Sequence, residues 1–156
     1  MQSEGASTAC SFDPRHVFVY GTLLLPEIQR RVTGRAFEAE PALLRGYARR
    51  TVRGEVYPSV LPCAGDVVDG ALLRGVDAAS LARLDAYEGA PYERVRVRVE
   101  RAAGGAAEAW MWLLRPSERA LLSDEPWDLA TFLGRDRARF EAGYAGFGAP
   151  EPGDPG

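Results

Sequence analysis

The chain has 156 residues, 46% of them hydrophobic and 26% charged, which suits one domain with a single core. Its net charge of −3 gives no electrostatic footprint for nucleic acid, and no apolar run approaches the length of a membrane span. All 19 basic residues are arginine, so no lysine is available for a Schiff base or a P-loop.

The two ends of the chain differ in composition from the rest. Residues 1–13 and the Pro/Gly-rich residues 149–156 are typical of flexible tails, whereas residues 14–148 contain no repeat or linker and predict one domain. The N-terminal tail lacks the charged and apolar regions of a signal peptide. The only two cysteines, Cys10 and Cys63, do not suggest a disulfide framework. We therefore expect a cytoplasmic protein.

Hydrophobic periodicity predicts short strands and a helix in the first half of the domain. A continuously apolar segment over 17–20 predicts a strand that is covered on both faces. A short helix over 26–32 has proline in its first turn and a stop at Gly34. Strand-like segments interrupted by Gly and Pro follow around 36–39, 43–52 and 67–75.

The second half of the domain has clearer patterns. Asp77 is a suitable N-cap for a helix over 78–87. Val and Arg alternate over 92–101, which predicts a half-buried strand, and a two-glycine turn leads into a return strand over 108–114. Apolar spacing predicts a closing helix over 127–140. This order of elements favours an α+β fold with a small, mixed, barrel-like β-sheet and flanking helices.

Composition excludes most routes to catalysis. A serine triad requires a histidine, but the single one, His16, precedes the first strand, and no G-x-S-x-G motif occurs. One histidine and two distant cysteines cannot supply a zinc site, and neither G-x-G-x-x-G nor a Walker A sequence is present. Cys63 has no adjacent base and is interpreted as a small hydrophobic residue. We therefore expect no metal and no organic cofactor.

One carboxylate falls on the apolar side of the helix predicted over 78–87. At 100° per residue, Leu81, Leu84 and Glu88 lie within about 60° of one another, so Glu88 points toward the core. Desolvation and the negative end of the helix dipole would both raise its pKa toward the range that general-base catalysis requires. A solvent-reaching glutamate explains the same pattern equally well, and Asp85 is a weaker alternative acid.

The first strand runs into a Y-G-T-L turn. The glycine permits a turn after Tyr20 that presents the N–H groups of Gly21, Thr22 and Leu23 to a ligand. Such a nest of N–H groups binds a carboxylate or a developing oxyanion. A simple turn at the end of a strand is the commoner interpretation of so short a motif.

Several segments together resemble a known family. They are Val17–Leu23, Gly54 with Tyr57–Pro62, Leu84–Gly89, Tyr92–Val95, Ala109 with Trp110, Trp127 with Asp128, and Phe132. Their order and spacing resemble the gamma-glutamylcyclotransferase-like family, which includes plant avirulence-induced-gene-type proteins and gamma-glutamylamine cyclotransferases. The similarity covers about residues 15–145, nearly the whole predicted domain.

The resemblance implies a fold, a site and a reaction. It implies a small mixed barrel, a Y-G-T-L turn that binds substrate through backbone amides, and Glu88 as the general acid/base. The implied reaction is attack by the α-amine of a small-molecule γ-glutamyl substrate on its own γ-carbonyl, which yields 5-oxoproline and a free amine or amino acid. Tyr20, Tyr57 and Tyr92 are candidate pocket hydroxyls, although such aromatic residues equally often serve in packing. Arg94 is interpreted as one of a row of exposed arginines rather than a substrate contact.

Two other functions remain open at this point. One is pathway-specific removal of a γ-glutamyl protecting group in the same pocket, and the other is a non-catalytic ligand-binding or regulatory module. Neither involves nucleic acid or a membrane, and the sequence is compatible with a monomer or a homodimer.

Overall fold

The strands of the protein close into a barrel. The computed structural model describes residues 15–55 and 57–136. The five strands are β1 (Val17–Val19), β2 (Glu38–Thr51), β3 (Pro58–Arg74), β4 (Tyr92–Arg101) and β5 (Ala106–Leu114). Their order around the barrel is β1-β3-β2-β4-β5, and β1 closes it by pairing antiparallel with β3 and parallel with β5. The α+β class and the barrel-like sheet are thus confirmed.

Short helices flank the barrel. The α-helices are α1 (Pro26–Thr33), α2 (Ala78–Glu88) and α3 (Leu129–Thr131), with 3-10 helices at Thr22–Leu24 and Pro116–Leu121 and a π-helix at Phe132–Asp136. Proline at the start of α1 and left-handed Gly34 at its end (φ 94°) bound the helix as predicted. Asp77 occupies the N-cap position of α2. None of the helices described here is long and apolar enough to cross a membrane.

The central hairpin is longer than the sequence predicts. The separate segments predicted near 36–39, 43–52 and 67–75 belong to the continuous strands β2 and β3. Gly46 has φ 86° at a register shift, where Arg45 faces Val67 and Tyr47 faces Pro62. Gly46 alone therefore stands opposite residues 63–66, which form a bulge in β3 that ends neither strand. Pro62 is accommodated opposite Tyr47 beside this bulge. Gly46, Pro62 and Gly65 were wrong as strand boundaries because the bulge absorbs them, whereas Gly54 lies in the turn between β2 and β3 and Pro58 begins β3.

Strand β1 lies between two apolar clusters. Phe18 and Tyr20 pack in one cluster with residues of β2 to β5, and Val17 and Val19 pack in the other with α1, α2 and Phe132. Successive strand side chains point to opposite faces, so a strand covered on both sides must be apolar throughout. The predicted burial of this segment on both faces is confirmed.

The last predicted elements are borne out in part. In the β4–β5 hairpin, Val97 and Val99 are buried while the alternating Arg94, Arg96 and Arg98 are exposed, as the alternation predicts. The closing helix begins later than expected, because Asp128 is an N-cap that accepts a hydrogen bond from the Thr131 N–H at 2.7 Å. Its predicted end at 137–140 lies outside the described residues, as do both predicted tails and Cys10.

Candidate active site

A pocket of about 380 Å³ opens where the end of β1, the end of α2 and the starts of β3 and β4 meet. Its volume is in the range of small-molecule sites. All seven residues selected from the sequence line it, namely Tyr20, Gly21, Thr22, Leu23, Tyr57, Glu88 and Tyr92. The remaining lining residues are Phe18, Val19, Pro58, Ala86, Tyr87, Gly89, Pro91 and Trp112. Among residues 15–55 and 57–136, the lining thus combines aromatic and apolar surface with one carboxylate and no basic side chain.

Glu88 is the last residue of α2 and the only acidic residue that the described part of the chain contributes to the lining. Helix α2 ends there because Gly89, at φ 83°, donates its N–H to the Asp85 carbonyl at 3.1 Å and turns the chain away. Leu84, one turn earlier, is buried and sets the face on which Glu88 projects. Burial, followed by the negative charge of Asp85, raises the pKa of Glu88 to about 8. The sequence led us to expect that desolvation would raise the pKa of Glu88. The second cause, the negative charge of Asp85, was not predicted.

Asp85 lies on the same helix in different surroundings. Its carboxylate accepts a hydrogen bond from Trp112 Nε1 at 2.9 Å and lies 3.4 Å from Arg94 Nε. Neither Asp85 nor Arg94 lines the pocket, and the Arg94 guanidinium stacks over the Trp110 ring. Asp85 therefore ties α2 to the β4–β5 hairpin, and the structure places this alternative acid outside the pocket.

Tyrosine hydroxyls surround Glu88. Tyr20 donates to the Trp112 carbonyl at 2.5 Å, and Tyr92 donates to the Pro58 carbonyl at 3.3 Å. Burial raises the pKa of both phenols well above the ordinary value, and the charge of Glu88 contributes in the same direction. Burial also raises the pKa of Tyr57. These phenols therefore stay protonated and neutral at physiological pH.

Among the lining residues that sequence reasoning did not select, two have side chains that make polar contacts. Tyr87 has its hydroxyl 3.2 Å from Thr22 Oγ1, which links α2 to the turn after β1. Trp112 offers its carbonyl to Tyr20 and its indole N–H to Asp85. Tyr87 stands beside Glu88 in the matched segment, but Trp112 had no signal beyond its place on a predicted strand.

The turn after β1 leaves backbone donors available. Leu24 and Leu25 donate their N–H groups back to Gly21 and Thr22 at 2.9 and 3.1 Å. The N–H groups of Gly21, Thr22 and Leu23 make no hydrogen bond within the described part of the chain. A Cβ on Gly21 would lie 2.8 Å from Pro58 Cγ. Glycine is thus required by this close approach to β3 rather than by a left-handed backbone.

The other reactive side chains lie elsewhere. Cys63 does not line the pocket, and its thiol donates to Asp66 at 3.1 Å, which raises the pKa of the thiol. His16 also lies outside the lining, and burial lowers its pKa. Residues 15–55 and 57–136 contain no group of three His, Cys, Asp or Glu side chains that could hold a metal ion.

Comparison with known proteins identifies the family. The sequence profile of the family described as gamma-glutamyl cyclotransferase, AIG2-like, matches residues 17–129. The chain belongs to this family. Protein AIG2 C of Arabidopsis thaliana is 34% identical over 114 residues, which cover 70% of this chain and 69% of that protein. The matched region runs from β1 to the start of α3 and therefore includes every residue of the pocket.

Solved structures of the AIG2-like fold superpose on the chain. The solution structure of an Arabidopsis thaliana protein gives a TM-score of 0.64 at 25% identity, with 88% of this chain and 94% of that chain covered. A structure described as gamma-glutamyl cyclotransferase gives a TM-score of 0.59 at 18% identity, with 90% and 89% covered. At that identity the second likeness concerns the fold alone. The resemblance found in the sequence is confirmed at the level of family and fold.

Proposed function

We propose that the protein is a γ-glutamyl cyclotransferase-type enzyme, which converts a small γ-glutamyl compound into 5-oxoproline and a free amine or amino acid. The observation that carries the proposal is the pairing, in one pocket, of a carboxylate whose pKa is about 8 with a turn whose N–H groups are free. Membership of the gamma-glutamyl cyclotransferase, AIG2-like family supports the substrate class.

The turn binds the substrate through its backbone. Gly21, Thr22 and Leu23 direct N–H donors at an anionic or carbonyl oxygen of the γ-glutamyl group. Because no basic side chain of the described residues lines the pocket, neutral donors hold these oxygens. The phenols of Tyr57 and Tyr92, which also line the pocket, provide further neutral contacts.

Glu88 moves the protons. Its carboxylate takes a proton from the substrate α-ammonium, and the freed amine attacks the γ-carbonyl carbon to form the ring C–N bond. The protonated Glu88 then donates to the departing nitrogen as the original amide C–N bond breaks. The ring nitrogen still carries one proton too many, which Glu88 takes and passes to the released amine, so the amine leaves as an ammonium ion and Glu88 returns to its carboxylate form. A pKa of about 8 is close to that of an α-amino group, so neither transfer is strongly uphill.

The protein does not need a nucleophile of its own for this reaction. Nucleophile and electrophile belong to one molecule, and well-oriented intramolecular reactions reach effective molarities on the order of 10⁵ M or more. The pocket has to fold the substrate, exclude water and place one acid/base. Its aromatic walls and its single carboxylate suit these tasks.

A substrate screen tests the proposal. Purified wild-type and Glu88→Gln proteins are incubated with γ-glutamyl-amino acids, γ-glutamyl-ε-lysine and simple γ-glutamylamines, and 5-oxoproline is followed by mass spectrometry. We expect product from the wild type and a loss of about 10²- to 10⁴-fold in Glu88→Gln, the usual range for a lost acid/base. Glu93→Gln is the matched control because Glu93, at the start of β4, does not line the pocket.

Two results would contradict the proposal. One is a folded Glu88→Gln protein that is as active as the wild type, and the other is a wild type that forms no product from the panel. Tight binding of an intact γ-glutamyl ligand in the second case would favour a non-catalytic binding module.

A further inference from the structure

Arg49, on β2, contacts the backbone of the turn from outside the pocket. Its Nη1 donates to the Tyr20 carbonyl at 2.8 Å and to the Asp69 carbonyl at 2.9 Å, and its Nη2 lies 2.8 Å from the Asp69 carboxylate. The Arg49 side chain is 15% exposed, and its guanidinium lies 5.7 Å from the centre of the Trp127 ring. Backbone, carboxylate and ring together hold this guanidinium in one position.

The peptide between Tyr20 and Gly21 connects this contact to the pocket. The described peptide bonds are all trans, and the C=O and N–H of a trans peptide point in opposite directions. Arg49 does not line the pocket, whereas Gly21 does. A carbonyl held toward Arg49 therefore leaves the Gly21 N–H directed away from the guanidinium, on the side where a ligand can accept it.

We propose that Arg49 is a positioning residue that orients and polarises the Gly21 N–H for substrate binding. The inference rests on the proposed function of the pocket. A charge-assisted hydrogen bond to the carbonyl withdraws electron density from the peptide and makes its N–H a stronger donor. In this way Arg49 supplies part of the effect of a positive charge to a pocket in which the described lining residues carry none.

The sequence contains a matched control for this role. Asp69→Asn removes the charged partner of Arg49 but leaves the Tyr20 carbonyl and its contact with Nη1 intact. The Asp69 side chain is 81% exposed, so its replacement disturbs no packing. If Arg49 had only a structural role, loss of either partner would have the same effect on the protein. If Arg49 positions the Gly21 N–H, substrate binding depends on its contact with the Tyr20 carbonyl and not on its contact with Asp69.

Steady-state kinetics with the best substrate of the wild type tests the role. For Arg49→Gln we expect KM to rise about 5- to 20-fold with kcat changed less than threefold, because a charge-assisted contact is lost from the binding turn. Asp69→Asn should stay within twofold of the wild type in both constants. A KM of Arg49→Gln within twofold of the wild type, or an equal rise in Asp69→Asn, would overturn the proposal. If Arg49→Gln does not fold, Arg49→Met, which keeps an apolar stem of similar length and loses both the charge and the donors, is measured against the same limits.

The NMR signal of the Gly21 amide tests this inference independently of the proposed enzyme activity. Hydrogen bonding to the Tyr20 carbonyl deshields the nitrogen of the same peptide, which is the Gly21 nitrogen. In the ligand-free protein we expect its ¹⁵N signal to move upfield in the Arg49 variant and to stay in place in Asp69→Asn. An unchanged Gly21 signal in the Arg49 variant would overturn the orientation argument whether or not the protein turns over any substrate.

Discussion

Glu88 and Asp85 are one helical turn apart on α2 and occupy opposite electrostatic surroundings. Asp85 accepts a hydrogen bond from Trp112 and pairs with Arg94, so its charge is compensated. Glu88 has no hydrogen bond or cation from any described side chain, and burial together with Asp85 raises its pKa to about 8. Two carboxylates separated in this way commonly divide into a structural and a chemical role.

The pH dependence of kcat/KM should follow the ionisation of Glu88. The ionised carboxylate must meet the substrate in its ammonium form, so we expect kcat/KM to rise about tenfold per pH unit below an inflection near 8 and to fall again at higher pH, where the substrate ammonium ionises. The measurement is a pH profile from 5.5 to 10 with the best substrate. A flat profile over this range would show that ionisation of Glu88 does not limit the reaction.

Asp85→Asn should shift this inflection to lower pH. The variant removes the negative charge that raises the pKa of Glu88, while the Asn carbonyl oxygen still accepts from Trp112 Nε1. The same pH profile is compared between the wild type and the variant, with the melting temperature as a check on folding. An unchanged inflection in a folded Asp85→Asn protein would show that the charge of Asp85 does not raise the pKa of Glu88.

At the scale of elements, the close crossing of β1 and β3 positions the turn that follows β1. Gly70 on β3 faces the backbone of β1, where an added Cβ would collide with the Val19 carbonyl oxygen and lie 2.7 Å from Phe18 Cζ. The turn begins directly after Val19. Any displacement of β1 is therefore passed to Gly21 and its N–H group.

Gly70→Ala should weaken both the fold and the site. Overpacking of this kind costs about 1–3 kcal/mol, so we expect the melting temperature to fall by about 3–10 °C and KM to rise. Gly134→Ala is the control, since no atom lies within 4 Å of a Cβ built there. A Gly70→Ala protein with the stability of the wild type would show that β1 can move without cost.

At the scale of the whole molecule, Glu88 should make stability depend on pH. Between its ordinary value of 4.5 and its folded value of about 8, the folded protein retains a proton that the unfolded chain has released. The free energy of unfolding therefore falls as pH rises through this window. Because the pocket is open to water, we expect a loss of about 1–3 kcal/mol by pH 9, less than the full shift implies.

The Glu88→Gln protein provides the measurement of that loss. Its melting temperature relative to the wild type should increase by about 3–8 °C between pH 5 and pH 9, since the variant has no charge to bury. Glu93→Gln should show no such trend, because Glu93 lies 3.7 Å from Arg115 outside the pocket. Parallel curves for wild type and Glu88→Gln would contradict the raised pKa.

The sequence predicted local features better than the connections between them. The apolar run of β1, the alternation of Val97 and Val99 and the carboxylate at the end of α2 depend on local periodicity, which one sequence reveals. The bulge opposite Gly46 and the hydrogen bonds of Trp112 depend on which strands become neighbours in the closed barrel. The role of Arg49, one of 19 arginines, could not be predicted from the sequence. Its partner is the Tyr20 carbonyl, which only the fold brings near.

The central claim, ring closure within the substrate with Glu88 as acid/base, is tested most directly by the mass of the product formed in ¹⁸O-labelled water. We predict unlabelled 5-oxoproline from the wild type, because the α-amine and not water attacks the γ-carbonyl, and at least 10²-fold less product from Glu88→Gln. Glutamate carrying one ¹⁸O atom would mean that water is the nucleophile. Equal amounts of 5-oxoproline from the two proteins would mean that another group moves the protons.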